Sequence, residues 1–302
     1  MNSNIAVIGS RGMLGAELFD ALNRAGLKAI ALARPQMDIT RPETLRGPLA
    51  ELASPGLVIN CAAYTAVDKA ETDPESAFAV NREGPANLAD ECRRVGLSLI
   101  HISTDYVFNG KSTRPYGEQD PVNPINIYGK SKLQGEEAIR SRLAEHIIVR
   151  TSWLYGTRGR NFVKTILKLG LERDELSVVC DQYGCPTWTY DLAACIVRLS
   201  ERILEGSADA LWGTYHFCGK GTATWFEFAS AVLAEAQRYQ SCRGGVAGVL
   251  PVATSQYPTA AARPVYSVLD CSKIETALGV SPPDWRQGVE HCVRQLLEGH
   301  RA

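Results

Sequence analysis

Ile5-Ala6-Val7-Ile8-Gly9-Ser10-Arg11-Gly12-Met13-Leu14-Gly15 is followed directly by Ala16-Glu17-Leu18-Phe19-Asp20-Ala21-Leu22. The first four residues form an apolar run without helical period and the last seven carry helical spacing, so the stretch reads as strand, glycine turn, helix. Glycines in such a turn let backbone amides approach a pyrophosphate at a helix N-terminus, where the macrodipole favours negative charge. A nucleotide is expected here, with Gly9, Arg11, Gly12 and Gly15 of the turn as its contacts. The spacing is Gly-x-x-Gly-x-x-Gly, one residue wider than the commonest Gly-x-Gly-x-x-Gly turn.

Strands and helices then alternate. Lys28-Ala29-Ile30-Ala31-Leu32 predicts a second strand, at whose end an acidic residue would grip the ribose 2′-hydroxyl of NAD. Ala33 and Arg34 stand there instead. An arginine without a carboxylate suits a 2′-phosphate, so the chain is expected to prefer NADPH, with NADH as an alternative donor. Asp38, in Met37-Asp38-Ile39-Thr40, is read either as an acceptor for the adenine amino group or as a cap before Pro42.

Leu57-Val58-Ile59-Asn60-Cys61-Ala62-Ala63 predicts a third strand whose small-residue end lies against the cofactor, followed by Tyr64-Thr65-Ala66-Val67-Asp68-Lys69-Ala70-Glu71. Pro74 to Val95 is helical in period, with Phe78, Leu88 and Val95 as core positions and Asn81 as a polar contact between elements. Leu97 to Ile102 predicts a fourth strand that stops at Ser103-Thr104-Asp105. Ligands of open parallel sheets bind beyond the strands' carboxyl ends, so Thr104 is placed to hold a substrate oxygen. His101, in an apolar alternation, is read as a packing histidine.

Tyr128-Gly129-Lys130-Ser131-Lys132 sets a phenol and an ammonium four residues apart at the start of a helix running to about Leu143, where both share one face. An ammonium beside a tyrosine favours the phenolate, so the pair is expected to exchange a proton with a bound carbonyl or alcohol. The Gly, Pro and Asn-rich loop from Asn109 to Asn126 reads as an active-site cover or a plain crossover. Ile147 to Arg150 is a fifth strand leading to Trp153, which suits stacking, sugar contact or core packing. Beyond residue 156 the alternation loosens, with helices expected at 160–172, 189–205, 224–238 and 285–298 and strands near 176–179, 214–217 and 249–252. Arg263, in the turn-rich loop Tyr257 to Pro264, has a fork that matches diphosphate oxygens.

At 302 residues the chain has room for two unequal lobes, residues 1–156 binding the dinucleotide and 157–302 mainly the substrate, with room for core helices and strands of the first to recur later in the chain. Charged residues make up 22% and the net charge is −1, which points to no nucleic acid and no membrane surface as partner. No apolar run approaches the roughly 20 residues of a membrane span, and Met1-Asn2-Ser3-Asn4 lacks a signal-peptide pattern, so a cytoplasmic location is expected. Nine scattered cysteines without a Cys-x-x-Cys pair read as reduced thiols rather than a metal site.

Together, Gly9 to Gly15, Ser103-Thr104-Asp105-Tyr106-Val107-Phe108, Tyr128 to Lys132 and Arg150-Thr151-Ser152-Trp153 resemble the extended short-chain dehydrogenase/reductase superfamily. Ala62 to Glu71, Asn161-Phe162-Val163, Asp181-Gln182-Tyr183-Gly184 and Tyr257-Pro258-Thr259-Ala260 bring the resemblance closer, to the dTDP-4-dehydrorhamnose reductases, over nearly the whole chain. It implies a Rossmann-type, doubly wound parallel α/β sheet with a smaller C-terminal substrate-binding α/β lobe. It also implies reduction of the 4-keto group of dTDP-4-dehydro-6-deoxy-L-mannose to dTDP-L-rhamnose by a reduced nicotinamide, the alternatives being a reductase of another nucleotide-linked 4-keto sugar or a non-catalytic NADP-binding regulatory subunit. Carried over by residue, Tyr128 is the proton donor, Lys132 binds the nicotinamide ribose and lowers the phenol's pKa, and Thr104 holds the keto oxygen. Gly12, Met13, Leu14, Asp38, Ile39, Ala62, Ala63, Tyr64 and Thr65 fall at cofactor positions, and Thr104, Asp105 and Trp153 face the nucleotide sugar. The chain departs from the family at Val265-Tyr266-Ser267, where an Asn-Ser pair is usual. It departs again at Trp188-Thr189-Tyr190, where a magnesium-binding glutamate would stand, so no metal is expected and any homodimer is expected to lack a metal bridge.

Overall fold

The computed structural model describes residues 4–52, 55–207, 211–239 and 245–299. The opening stretch folds as β1 (Ile5–Ile8) and α1 (Met13–Arg24), and the next crossover leads to β2 (Ala29–Leu32). Leu14, Leu18 and Leu22 recur every four residues along α1 and all three are buried, so the helix lies with one apolar face on the sheet. A short α2 (Arg46–Ala50) precedes β3 (Gly56–Asn60), and α3 (Val67–Ala70) and α4 (Pro74–Phe78) lead into α5 (Gly84–Val95). The helical stretch expected from Pro74 to Val95 is interrupted by a wide π turn, Ala79–Glu83. Pro85 has no N–H to return to the carbonyl four residues back, so the local ladder opens at Asn81. Leu88 enters the core as expected, Val95 packs at its margin, and Phe78 is partly buried under the Arg82 guanidinium.

β4 (Leu97–Thr104), α6 (Ile127–Arg142) and β5 (His146–Thr151) complete the N-terminal alternation. Asn126 caps α6 by accepting from the Gly129 N–H at 2.8 Å, which starts the helix one residue before Tyr128. The sheet has strand order 2-1-3-4-5 with a sixth strand beyond β5, and every pairing is parallel. The chain therefore winds in opposite senses from β1, and the switch between β1 and β3 opens a crevice at their carboxyl ends. Alternate residues of the strands face two layers: Val7, Ile59, Ile100 and Val149 pack on one side, and Ala6, Ile8, Val58 and Leu99 on the other.

The remaining elements are β6 (Leu154–Tyr155), α7 (Phe162–Glu172), β7 (Glu175–Val179), β8 (Tyr183–Gly184), β9 (Thr187–Trp188), α8 (Thr189–Leu204) and β10 (Gly213–His216). β11 (Ala223–Thr224), α9 (Trp225–Ala236), β12 (Gly248–Val252), α10 (Ser272–Leu278) and α11 (Trp285–Glu298) follow. Three of these return to the first layer system: β10 is the sixth strand of the main sheet, α8 packs with α1 on its face, and α10 buries Ile274 in the same core. The others build a second core around Phe228, Val232, Trp285 and Val289, with β7 and β12 paired parallel beneath α7 and α9. The loop from Asn109 to Asn126 docks on this half, with the Tyr116 N–H on the Val268 carbonyl at 2.8 Å and the Tyr116 ring stacked on Phe108 at 4.1 Å. Among the described residues no helix is long and apolar enough to cross a membrane.

Glu136 fastens the sheet to α6. Its carboxylate is fully buried and accepts from Ser103 Oγ on β4 at 2.5 Å and from Arg150 on β5 at 2.9 and 2.7 Å, with Arg140 closing the set at 2.6 Å. Burial raises its pKa, but Arg150, Arg140 and Ser103 together outweigh that and hold it below the ordinary glutamate value. Its contribution to stability is therefore fully present above the unfolded-state pKa and is lost as pH falls through the folded one. Glu136→Gln is expected to lower unfolding free energy by about 3–5 kcal/mol, because it leaves the Arg150 guanidinium buried and uncompensated. Urea denaturation at neutral pH checks this, and the gap between variant and parent is expected to narrow in acid.

Candidate active site

The carboxyl ends of β1, β3, β4 and β5 surround a continuous cleft. One part, of about 730 Å³, is lined by Gly9, Arg11, Gly12, Arg34, Asp38, Ile39, Ala62, Ala63 and Tyr64. The other, of about 620 Å³, is lined by Met13, Leu14, Thr65, Thr104, Asp105, Tyr128, Lys132 and Trp153. Arg11, Gly12, Cys61 and Ala63 border both. Residues scattered from position 9 to position 153 are thus brought to one groove, because each follows the end of a parallel strand or opens the helix beside one.

Gly9 has φ +75°, and a Cβ there would sit 2.7 Å from the Ala62 nitrogen. Only glycine lets the β1 turn lie so close to the β3 end. Gly15 plays a packing part instead, since a Cβ on it would strike the Gly9 carbonyl oxygen, and it does not reach the cleft wall. The α1 N-cap, Gly12, has no side chain and the first turn carries no acidic residue, which leaves the first amides and the positive end of the helix facing the cleft. Arg34 lies at the far end with Arg11, whose Nη1 donates to the Arg34 carbonyl at 3.2 Å. Asp38 Oδ1 accepts from the Thr40 N–H at 3.0 Å and its hydroxyl at 2.8 Å. That is the local cap foreseen as one of its two readings, on a residue that also borders the cleft.

At the inner end, burial pushes the Tyr128 phenol up to about 12, while a hydrogen bond with Thr104 works in the opposite direction. The sequence expectation that Lys132 lowers this phenol towards neutrality is not met. The Lys132 ammonium is turned to the sheet, donating to the Ile102 carbonyl at 2.7 Å, and lies 3.2 Å from His101 Nε2. Burial brings Lys132 itself down to about 8, against the attraction of Glu136. Thr104 Oγ1 donates to Asp105 Oδ1 at 3.0 Å and accepts from the Tyr106 N–H at 3.2 Å. Burial lifts Asp105 to about 7, opposed by Ser267 and Thr104, and its Oδ2 is buried without a partner.

Trp153 holds φ +45°, stacks on Trp225 at 3.6 Å, and leaves its edge against Gly184, where a Cβ would meet the indole at 2.5 Å. It both packs and faces the cleft. Arg263 is not among the residues lining the cleft: its guanidinium is taken by Asp68, Nη2 to Oδ2 at 2.6 Å and Nη1 to Oδ1 at 3.0 Å. The sequence reading placed it on a diphosphate without seeing that the nearest anion is supplied by the chain.

The family described as "RmlD substrate binding domain" matches residues 3–298. A dTDP-4-dehydrorhamnose reductase of Sinorhizobium fredii is 40% identical over 299 residues, covering 99% of each chain. The chain belongs to the dTDP-4-dehydrorhamnose reductase family. The crystal structure of a family member from Clostridium acetobutylicum superposes with a TM-score of 0.88 at 37% identity, covering 97% of this chain and 99% of that one. A Bacillus anthracis dTDP-4-dehydrorhamnose reductase solved in complex with NADP has a TM-score of 0.87 at 38% identity, with the same coverage. Membership makes the chain an NAD(P)H-dependent oxidoreductase with the Rossmann-type fold of its relatives.

At the two places where the chain departs from the family pattern, aromatic packing fills the space. Tyr266 lies between Tyr116 and Tyr183, and the Ser267 N–H donates to the Tyr183 carbonyl at 2.8 Å. Trp188 stacks on Tyr190 and on His291.

Sequence reasoning missed Asn60, His101 and Glu136 as partners of the site. The signal was present: His101 and Ser103 alternate towards one face of β4, and Tyr128, Lys132, Glu136 and Arg140 follow at four-residue steps on α6. Asn81 was correctly placed as a contact between elements. Its Oδ1 accepts from the Tyr64 N–H at 2.8 Å, and its Nδ2 donates to the Tyr64 carbonyl and to Ser131 Oγ, both at 3.0 Å. Asn81→Ala is expected to cost about 1–3 kcal/mol in urea denaturation, because it leaves the half-buried Tyr64 N–H and carbonyl without their partner. It is also expected to increase amide hydrogen exchange at Tyr64 and Thr65 relative to the rest of the cleft.

Proposed function

We propose that the chain reduces the 4-keto group of dTDP-4-dehydro-6-deoxy-L-mannose to dTDP-L-rhamnose, using NADPH, and that Tyr128, Lys132 and Thr104 carry the chemistry. The observation behind this reading is that these three side chains line the same groove as the glycine turn, in a chain alignable over its length with a reductase solved with NADP. The turn fits a dinucleotide because Gly9 removes the Cβ that would block approach at Ala62, and the uncapped start of α1 faces the same space. Arg11 and Arg34 suit a 2′-phosphate.

NADPH, when bound, supplies the hydride. The chain's own task is to orient the keto oxygen and protonate it. Thr104 positions the oxygen beside Tyr128, and the buried phenol, with its pKa raised to about 12, is fully protonated at neutral pH. That is the form a reductase requires, and transfer from phenol to a developing alkoxide is downhill, since an alkoxide is the stronger base. Lys132 is charged below about pH 8 and so favours the phenolate left behind. Asp105 and Trp153 border the sugar, and Arg263 serves the diphosphate only by exchanging Asp68 for it. The second core, with α7, α9 and α11, forms the substrate lobe, while α8 and β10 stay with the dinucleotide-binding sheet. The eight cysteines among the described residues are all free, in keeping with work in the reducing cytoplasm.

The direct test supplies the 4-keto sugar nucleotide together with its 3,5-epimerase and follows NADPH oxidation, with the product identified by mass and NMR. The expected product is dTDP-L-rhamnose, at higher kcat/KM with NADPH than with NADH. Cofactor binding without oxidation would overturn the reading, and equal efficiency with both cofactors would overturn the preference. Tyr128→Phe removes only the proton donor, so turnover is expected to fall by roughly 10²–10⁴-fold while NADPH affinity stays near that of the parent. Turnover near the parent's would remove Tyr128 from the role.

A further inference from the structure

A buried polar chain runs behind Lys132. The Ala62 N–H donates to Asn60 Oδ1 at 3.0 Å, Asn60 Nδ2 lies 3.0 Å from His101 Nδ1, and His101 Nε2 lies 3.2 Å from Lys132 Nζ. Asn60, His101 and Lys132 are each at most 1% exposed, so no solvent relaxes their geometry.

The chain has a direction. Asn60 Oδ1 is held by the Ala62 amide, so Asn60 presents an N–H to His101, and Nδ1 must accept it. A neutral imidazole that accepts at Nδ1 carries its proton on Nε2. That N–H points at Lys132 Nζ. An ammonium has three donors and no lone pair, so it would meet His101 donor to donor; a neutral amine accepts from Nε2–H and still donates to the Ile102 carbonyl. Reversing the imidazole would turn the Asn60 amide against Nδ1–H or leave the Ala62 N–H unpaired.

We propose that Asn60 and His101 act as a positioning pair that biases Lys132 towards its neutral amine and so sets the upper pH limit of its charged form. The pair touches neither substrate nor cofactor in this reading, which rests on the role given to Lys132 above. The other groups facing Lys132 are few. Cys61, beside the end of β3, is pushed up to about 12 by burial and stays a neutral thiol; Glu136 and Tyr128 lie along α6, and Asp105 ends the β4 side of the cleft. Of these, Glu136 and then Cys61 favour the ammonium, against the burial that lowers it. His101 is itself held well below the ordinary histidine range by burial, with Lys132 and then His146 adding to it, so it faces Lys132 uncharged.

The test reads protonation directly, in the full chain without cofactor. Long-range ¹H–¹⁵N correlation of the five histidines identifies the tautomer of His101, assigned by the signal lost in His101→Gln. The expected result is the Nε2–H form from about pH 5 to 9, whereas the Nδ1–H form or an imidazolium would overturn the proposal. The titration of Lys132 is followed through its ¹³Cε resonance, assigned with Lys132→Arg. Asn60→Asp is isosteric and offers acceptor oxygens to both Ala62 and His101, which reverses the tautomer and makes Nε2 an acceptor for the ammonium. It is expected to raise the Lys132 midpoint by about one unit or more, a tenfold gain in proton affinity. His101→Gln, which can turn its amide oxygen to the ammonium, is expected to move it the same way. An unmoved midpoint in both variants sinks the proposal. If the midpoint moves but the enzyme oxidises no NADPH with the 4-keto sugar, the positioning pair stands and the assigned reaction falls.

Discussion

The rest of the site depends on one buried carboxylate. Glu136 ties α6 to the neighbouring strands β4 and β5, and it does so one turn beyond Lys132 and two turns beyond Tyr128. A helix lying on a sheet is free to slide or roll by small amounts when only apolar contacts hold it, because those contacts are non-directional. Charge-assisted hydrogen bonds to Ser103 and Arg150 remove that freedom, since each has a preferred distance and direction. The phenol, the ammonium and the Thr104 hydroxyl are thereby registered against one another, although they come from positions 104, 128 and 132. The desolvation of Glu136 opposes folding, and two arginines compensate it.

The same low dielectric that strengthens this clamp governs the acid chemistry. Without burial, an ammonium four residues from a phenol would be expected to lower the phenol's pKa. Inside the cleft the loss of solvent decides instead: it raises Tyr128, opposed by the Thr104 hydrogen bond, and lowers Lys132, so both groups are pushed towards their neutral forms. A protonated phenol is what reduction of a ketone calls for, and the arrangement is more apt to donate a proton than to take one. The Lys132 Nζ also faces the sheet side, at the Ile102 carbonyl and the His101 imidazole.

The strand order places the cofactor end of the groove by topology alone. From β1 the chain goes to β2 on one side and to β3 on the other, so no connection covers the carboxyl ends between them. Gly9 completes this by letting the β1 turn close on Ala62. The second half of the chain supplies the opposite wall through Trp153, held by Trp225 and by the space at Gly184.

Much of this was legible in the residues. The apolar run at 5–8, the glycine turn, the alternating strands and the Tyr-x-x-x-Lys spacing are local patterns, and local patterns fix backbone conformation and the face on which side chains emerge. The helices expected at 160–172, 189–205, 224–238 and 285–298 appear at Phe162–Glu172, Thr189–Leu204, Trp225–Ala236 and Trp285–Glu298 for the same reason. What tertiary structure alone decided is where each side chain spends its charge. Arg263 meets Asp68, 195 positions away, before any diphosphate; Lys132 meets a carbonyl and an imidazole on β4; and β10 leaves its sequence neighbours to become the sixth strand of the first sheet. Pairings of this kind join distant parts of the chain, and their strength is set by the burial around them, which residue order by itself does not specify.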